Sequence, residues 1–285
     1  MADYGIMLSY PTNKSFATGF SITIGKDLAR YPELLIQVIN EMALATQSSR
    51  TKLRGVIKGV KYRATRWNLF QNDLVFQTCM RHDISEIELE MSCPSVVKPI
   101  IISIEIRSDG ILADDKCIRQ LDLRCNSIIV ETMLNDIVSV LTMCFEASGG
   151  ISGFGLASTI ENRLITEMTH IMYKSLDDFA VGNLAWHQDE IRHYSVNSEK
   201  LDKYIQKFYW ANWLNAEHMR RLVAIPQAKL INWTLNRPLP SGGAYLQVGE
   251  SPYDFKELKK RLDEINAWCT ELRLPGAPIA ESDYG

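Results

Sequence analysis

The stretch Ile87-Glu88-Leu89-Glu90-Met91 decides the fold class of this chain. Apolar and acidic residues alternate along it, so an extended backbone would place the apolar side chains on one face and the carboxylates on the other. Such alternation is typical of an antiparallel strand that packs one face on a core and turns the other toward solvent.

Further runs with strand character lie at 4–8, 19–24, 67–78, 100–106, 229–235 and 244–248. They cluster along the chain instead of alternating strictly with helices, which favours an α+β fold over a doubly wound parallel sheet. We therefore expect an α+β fold, with mainly antiparallel sheet and at least four helices packed against it.

Four helices are predicted from apolar residues at helical spacing. The first begins at Pro32, the second at about Thr132, and the third is capped by Thr159. The fourth begins with Asp254 and Glu257, an acidic pair that is spaced like a capping box. The apolar stripes of the first two helices are Leu34, Leu35, Val38, Ile39 and Met42, and Leu134, Ile137, Val138, Leu141 and Phe145. Each helix is expected to bury one face.

The composition is that of an ordinary globular protein, with 46% hydrophobic and 23% charged residues in a chain of 285. The net charge of −3 excludes a global attraction to nucleic acid or to anionic membranes. The chain starts without a secretory signal pattern, and its most apolar window, 133–145, is too short to cross a bilayer. We expect a soluble protein of the cytoplasm that does not contact a membrane.

The segment 148–153 is rich in glycine and is the strongest boundary signal in the chain. The chain is therefore expected to form one α+β domain over 1–285, or two halves, 1–148 and 149–285. Six cysteines are scattered through the chain without a C-x-x-C pair, which favours reduced, mostly buried thiols over a disulfide framework or a zinc site.

Two short segments have features of a catalytic site, and we expect neither to be one. In 150–155, a nucleophile elbow around Ser152 would need glycine at position 154, where Phe154 stands. A dinucleotide loop would need a preceding strand and a third glycine in place of Ser158. We expect a structural turn there. Asp114-Asp115-Lys116 follows a turn signal and is expected to be a polar loop.

The pair His187 and His193 is the remaining candidate for chemistry. The two imidazoles are six residues apart, so they do not share a helical face as metal ligands at i and i+4 would. A solvated loop is the favoured interpretation, and a metal-dependent enzyme is the alternative. We therefore predict that the protein is not an enzyme and that it uses no metal and no cofactor.

A basic run without an acidic residue extends over 50–66. Its cations are Arg50, Lys52, Arg54, Lys58, Lys61, Arg63 and Arg66. Three interpretations stay open: a single-stranded nucleic acid site, a protein-contact surface, or the exposed face of strands that pairs with acidic residues. Those acidic residues are Asp83, Glu86, Glu88 and Glu90.

Aromatic residues concentrate at Phe208-Tyr209-Trp210, Trp213 and Trp233. Trp213 and Trp233 are expected in the core, which is the commonest place for such side chains. Tyr209 and Trp210 stay open between the core and a binding surface, because tyrosine and tryptophan also dominate binding hot spots.

The chain from about 150 to 272 resembles the type VI secretion immunity proteins that are associated with VRR-Nuc effectors. The motifs that carry the resemblance are Gly153-Phe154-Gly155, Leu176-Asp177, Trp213-Leu214 opening a short helix that ends in Arg220-Arg221-Leu222, and the segment 242–252 with its glycine pair, apolar strand, Gln247, Gly249 and Pro252. Their order and spacing, more than any single motif, make the likeness.

The resemblance implies an immunity protein that neutralises a DNA-cleaving toxin delivered between bacteria, by binding it in the cytoplasm and covering its active site or DNA groove. The partner is then a protein, without direct binding of nucleic acid. On this interpretation Asp177, Asp178, Asp189 and Glu190 would face the toxin's cationic groove. Arg50, Lys52 and Arg54 are the second expected partner surface. A nucleic-acid-binding module that uses 50–66 is the alternative function.

Overall fold

The computed structural model describes residues 17–24, 32–48, 50–57, 60–66, 84–93, 100–109, 118–125, 129–158, 202–205 and 207–273, and every structural statement below concerns these residues. Within them, the strands are β1 Ala17–Ile24, β2 Arg50–Ile57, β3 Val60–Arg66, β4 Ile84–Cys93, β5 Ile100–Asp109, β6 Ile118–Cys125, β7 Gly150–Ser158, β8 Ala211–Leu214, β9 Leu235–Pro238 and β10 Ala244–Gln247. The α-helices are α1 Pro32–Ala45, α2 Glu131–Ser148, α3 Ala216–Ala224 and α4 Phe255–Trp268. Two 3₁₀ turns span Pro226–Leu230 and Thr270–Leu272.

The strands form a ten-stranded sheet in the order β3-β2-β4-β5-β6-β1-β7-β8-β10-β9. Each neighbouring pair is antiparallel. The prediction of an α+β fold with mainly antiparallel sheet and at least four helices is confirmed. The alternating run 87–91 lies in β4, between β2 and β5.

Helices α1 and α2 contact each other, and α2 contacts β1 and β7. The stripe predicted for the second helix is buried in α2 at every position, and Val38, Ile39 and Met42 of α1 are fully buried. Asp254 caps α4 by accepting from the backbone N–H of Glu257, as the sequence predicts. Thr159 and the helix predicted after it lie outside the described residues.

Two local predictions are wrong. The run 229–235 was expected to be a strand, but Pro226–Leu230 is a 3₁₀ turn and β9 begins only at Leu235. Pro226 stands at the start of that turn, where its fixed φ favours a helical conformation. The stretch 150–155 was expected to be a turn, but it belongs to β7, and the chain reverses at Gly149, whose φ of 64° is left-handed. The strands predicted at 4–8 and 67–78 lie outside the described residues.

Several contacts cross the boundary predicted near residue 148. Strand β7 pairs along its length with β1, with Phe20 opposite Gly155. The Tyr253 hydroxyl accepts from the Ile129 N–H at 2.8 Å and shares a hydrogen bond of 2.7 Å with the Thr18 hydroxyl. The choice between one domain and two halves stays a prediction. No helix among the described residues has both the length and the apolar character needed to span a membrane.

Candidate functional site

Three of the motifs that carry the family resemblance lie side by side in the sheet. Gly153 of β7 is opposite Trp213 of β8, and Trp213 is opposite Tyr245 of β10. Residues that are far apart in the sequence therefore form one row across three neighbouring strands. Leu176-Asp177, the fourth motif, lies outside the described residues.

The glycines of β7 make room for aromatic rings. A Cβ at Gly155 would lie 2.5 Å from the ring of Phe20 and 3.1 Å from the Cβ of Ala211. A Cβ at Gly153 would lie 3.3 Å from the ring of Trp213 and 3.1 Å from the Ser21 carbonyl oxygen. Ordinary carbon contacts are about 3.5–4.0 Å, so these glycines are a packing requirement of the strand.

Trp213 connects this row to helix α2. Its indole N–H donates to the Thr142 hydroxyl at 2.9 Å, and that hydroxyl donates to the Val138 carbonyl oxygen at 2.7 Å. The rings of Trp213 and Tyr245 are 5.0 Å apart. Trp213, Tyr245 and Thr142 are buried and Gly153 is half-buried, so the row joins α2 to the sheet mainly through its aromatic members.

The end of β10 is fixed by a further chain of hydrogen bonds. The Tyr245 hydroxyl donates to the Gln247 side-chain oxygen at 3.0 Å, and the Gln247 amide donates to the Gly249 carbonyl oxygen at 2.9 Å. Burial raises the pKa of Tyr245, so its hydroxyl stays a hydrogen-bond donor at neutral pH. The glutamine of the family-like segment therefore has a structural role.

The aromatic residues whose place the sequence left open are in the core. Tyr209 and Trp210 are both buried; Tyr209 stacks on Phe154 with ring centres 4.5 Å apart. The core prediction is confirmed for Trp213, whereas Trp233 is half-buried and packs on Phe208 at 5.5 Å.

The described cysteines are buried thiols, as predicted, and burial suppresses their reactivity. It raises the pKa of Cys144 to about 12 and that of Cys269 to about 11. At neutral pH both are protonated, and the protonated thiol is a poor nucleophile and a poor metal ligand. Within the described part of the chain, no group of three or more His, Cys, Asp or Glu side chains could hold a metal ion.

The predicted partner-binding residues divide into two sets. Asp177, Asp178, Asp189 and Glu190 lie in the stretch 159–201, outside the described residues, together with His187 and His193. Asp114-Asp115-Lys116 also lies outside the described residues, in the stretch 110–117. Arg50, Lys52 and Arg54 occupy alternate positions of β2. Their register partners in β4 are Ser92, Glu90 and Glu88.

This register bears on the three interpretations of the basic run. Lys52 is directly opposite Glu90, and Arg54 is directly opposite Glu88. Opposite charges at facing positions of neighbouring strands stabilise a sheet. The backbone register is the one that the third interpretation requires, and all three interpretations stay predictions.

The most exposed apolar surface in the described chain lies between the end of α3 and the end of β9. We call residues 223–238 the 223–238 strip. Val223 is 63% exposed, Leu230 71% and Leu235 46%, and these are three of the five large apolar side chains that are exposed among the described residues. Apolar side chains grouped in this way are typical of contact surfaces.

The 223–238 strip is anchored at several points along its length. Ile225 and Ile231 are buried, and Trp233 packs on Phe208. Arg261 of α4 donates to the Asn232 carbonyl oxygen. The Thr234 hydroxyl accepts from the Gly249 N–H at 2.7 Å. These contacts hold the exposed side chains on a fixed backbone.

The strip is also basic: it contains Lys229 and Arg237 and no acidic residue. Two further cations, Arg220 and Arg221, precede it in α3. Arg220 is paired with Glu217 at 2.6 Å, and Arg221 lies over the Tyr204 ring at 4.1 Å and donates to the Glu271 carbonyl oxygen. Lys229 and Arg237 are exposed.

Strand β9 forms one edge of the sheet, and its backbone is poorly suited to pairing with another strand. The Leu239 N–H donates to the Gly243 carbonyl oxygen at 2.9 Å, across to the β10 side. In an antiparallel pair, the residues whose backbone groups bond to the neighbouring strand recur at every second position, so the backbone groups of position 238 point away from β10. That position is Pro238, which has no N–H to donate. A partner would therefore be recognised here through side chains.

Comparison with known proteins finds a similar fold among solved structures and no match by sequence. No protein-family model matches the sequence, and no curated protein matches it. Among solved structures, the chain is similar to the Pseudomonas aeruginosa T6SS protein PA0821, where T6SS denotes the type VI secretion system. The TM-score is 0.50 at 11% sequence identity, and the match covers 88% of this chain and 73% of that chain. At this identity the similarity concerns the fold.

Proposed function

We propose that this chain is a T6SS immunity protein that binds a cognate antibacterial nuclease effector and neutralises it by covering its active site or its DNA-binding groove. The observation that carries the proposal is the fold similarity to a Pseudomonas T6SS protein over 88% of the chain. The motif resemblance over 150–272 points to the same secretion system from the sequence.

The position of the motif residues supports a shared scaffold. Trp213 and Tyr245 are buried, half-buried Gly153 lies opposite Trp213, and Trp213 bonds the row to α2. Buried residues of this kind specify a fold and leave the outer surface free to vary. In the proposed role, the partner is selected by exposed side chains such as those of the 223–238 strip.

The proposed role requires no bond to be made or broken, so we propose a binding protein and not an enzyme, acting in the cytoplasm without a cofactor. A DNA-cleaving site holds cations with carboxylates and holds phosphates with basic side chains. An inhibitor therefore binds it by presenting charges of the opposite sign. Asp177, Asp178, Asp189 and Glu190 are the acidic groups we propose for the cationic groove.

Co-expression tests the proposal. A gene next to the one that encodes this chain should encode a secreted protein with a nuclease domain. Cells that express that nuclease should die, and cells that also express this chain should survive, with the two proteins co-purifying as a stoichiometric complex. An inactive nuclease variant is the control, since it should co-purify without harming the cells. Death despite co-expression, together with no co-purification, would show that the proposal is wrong.

A further inference from the structure

The 223–238 strip combines exposed apolar groups, positive charge and an anchored backbone. We propose that this strip is the contact surface for an acidic, carboxylate-lined face of a partner protein. The identity of the partner as a nuclease rests on the proposed function, whereas the chemistry of the surface rests on the strip itself.

The apolar part of the strip supplies the contact area. Leu230 is 71% exposed and Val223 63% exposed, so most of each side chain is in water in the free protein. Removing such groups from water on binding is favourable, and the centre of a protein interface is usually apolar. An exposed leucine between anchored residues is therefore a candidate for the centre of the contact.

The charge of the strip selects an acidic partner. The whole chain has a net charge of −3, yet the stretch from 218 to 249 has four cations and no carboxylate. The basic character is therefore local, and within the strip it comes from Lys229, next to Leu230, and from Arg237 in β9. A metal-dependent nuclease gathers carboxylates around its metal ions, and these offer the complementary charge.

The fixed backbone lowers the cost of binding. Ile225, Ile231, Trp233 and Thr234 are held by the core or by hydrogen bonds, so few backbone degrees of freedom remain to be lost in a complex. Because Pro238 removes an outward-facing donor from β9, strand addition is disfavoured and the side chains carry the recognition.

Nucleic acid is the other class of partner that a basic surface can attract, and the strip fits it less well. Surfaces for single strands add exposed aromatic rings on which the bases stack. The exposed side chains between Lys229 and Arg237 are aliphatic or polar and none is aromatic, because the one aromatic residue of the strip, Trp233, is half-buried and packs on Phe208. An acidic protein surface satisfies both the cations and the aliphatic groups.

The test compares strip variants with matched variants elsewhere on the full chain. The strip variants are Leu230→Asp and the double variant Lys229→Glu/Arg237→Glu. The controls are Leu44→Asp, because Leu44 is 72% exposed on α1, and Lys256→Glu/Lys260→Glu, which reverses two exposed charges on α4. Thermal unfolding of each variant confirms that it is folded. The probe is the inactive nuclease-domain product of the neighbouring gene, immobilised at two salt concentrations.

We expect Leu230→Asp to raise Kd at least about tenfold, as loss of a central apolar contact does. The charge-reversed strip variant should lower the association rate and weaken its dependence on salt, while the Kd of both controls stays within about twofold of wild type.

Wild-type affinity in both strip variants, or equal losses in the controls, would overturn the inference and leave the proposed function standing. No binding by the wild-type chain would overturn both. Binding of a labelled DNA 20-mer that is lost only in the strip charge variant would also overturn the inference.

Discussion

Replacing Gly155 with alanine should destabilise the protein, because the new Cβ would stand 2.5 Å from the ring of Phe20. The ring would have to move by about 1 Å to restore an ordinary carbon contact. It is fully buried and lies 6.3 Å from the ring of Trp210 and 6.2 Å from that of Trp213, edge-on in both cases. The ring therefore has little space to move.

The size of the effect follows from two opposing terms. Overpacking a well-filled core costs about 1–3 kcal/mol. Alanine also reduces the conformational entropy of the unfolded chain, which raises the free energy of unfolding by about 0.4–1 kcal/mol. We expect Gly155→Ala to lower the free energy of unfolding by about 1–2 kcal/mol, and the melting temperature by about 2–8 °C. Urea denaturation followed by tryptophan fluorescence measures the first quantity.

A double variant separates this steric effect from others. Phe20→Leu removes ring atoms beside Gly155 and leaves space that an alanine Cβ can fill. The combined variant Gly155→Ala/Phe20→Leu should therefore lose about 1 kcal/mol less than the sum of the two single variants. If Gly155→Ala unfolds at the wild-type urea midpoint, or if the two losses simply add, the packing argument for β7 is refuted.

Three further predictions rest on buried groups. Thr142→Val should lower the free energy of unfolding, measured by urea denaturation, by about 1–3 kcal/mol, because it leaves the buried indole N–H of Trp213 without its acceptor. The control Thr142→Ser keeps the hydroxyl and should retain most of the stability. Tyr253→Phe should lower the free energy of unfolding by about 1–2 kcal/mol, since it removes the hydrogen bonds to Thr18 and Ile129. An unchanged urea midpoint would contradict this. Burial raises the pKa of Cys144 from 9.0 to about 12, so the folded protein should keep this thiol unalkylated by iodoacetamide at pH 8 until denaturant is added. The stability from keeping Cys144 protonated is complete below pH 9 and is lost as the pH rises toward about 12, a decline that should be smaller in Cys144→Ala.

The sequence predicts those elements that bury one face and leave the other in water. The stripe of α2 follows from this, and so does the alternation at the end of β4, where Met91 is buried and Glu90 is half-buried. Strand β8 is short and buried at all four positions, so no alternation marks it, whereas the equally buried β10 is predicted from its apolar residues. The pairing of β1 with β7 joins residues that are distant along the chain, which local patterns do not encode.

The candidate contact surface was missed for a similar reason. The run 229–235 has strand character in the sequence, and that pattern does not show which of its apolar side chains are exposed. Leu230 and Leu235 are exposed because Ile231 and Trp233 take the inward positions, while Arg261 and Gly249 bond to Asn232 and Thr234 from distant parts of the chain. One signal in the sequence could have indicated the surface: the absence of any carboxylate from 218 to 249.

The division between buried and exposed residues also explains why the resemblance to immunity proteins predicts a fold better than a partner. Trp213 and Tyr245 are buried and lie in one row with half-buried Gly153, so a change at any one of them affects α2 or the neighbouring strands. Lys229 and Leu230 meet no such constraint, because their side chains extend into water. If the proposed function holds, the residues that keep the scaffold and the residues that follow the toxin are therefore two separate sets.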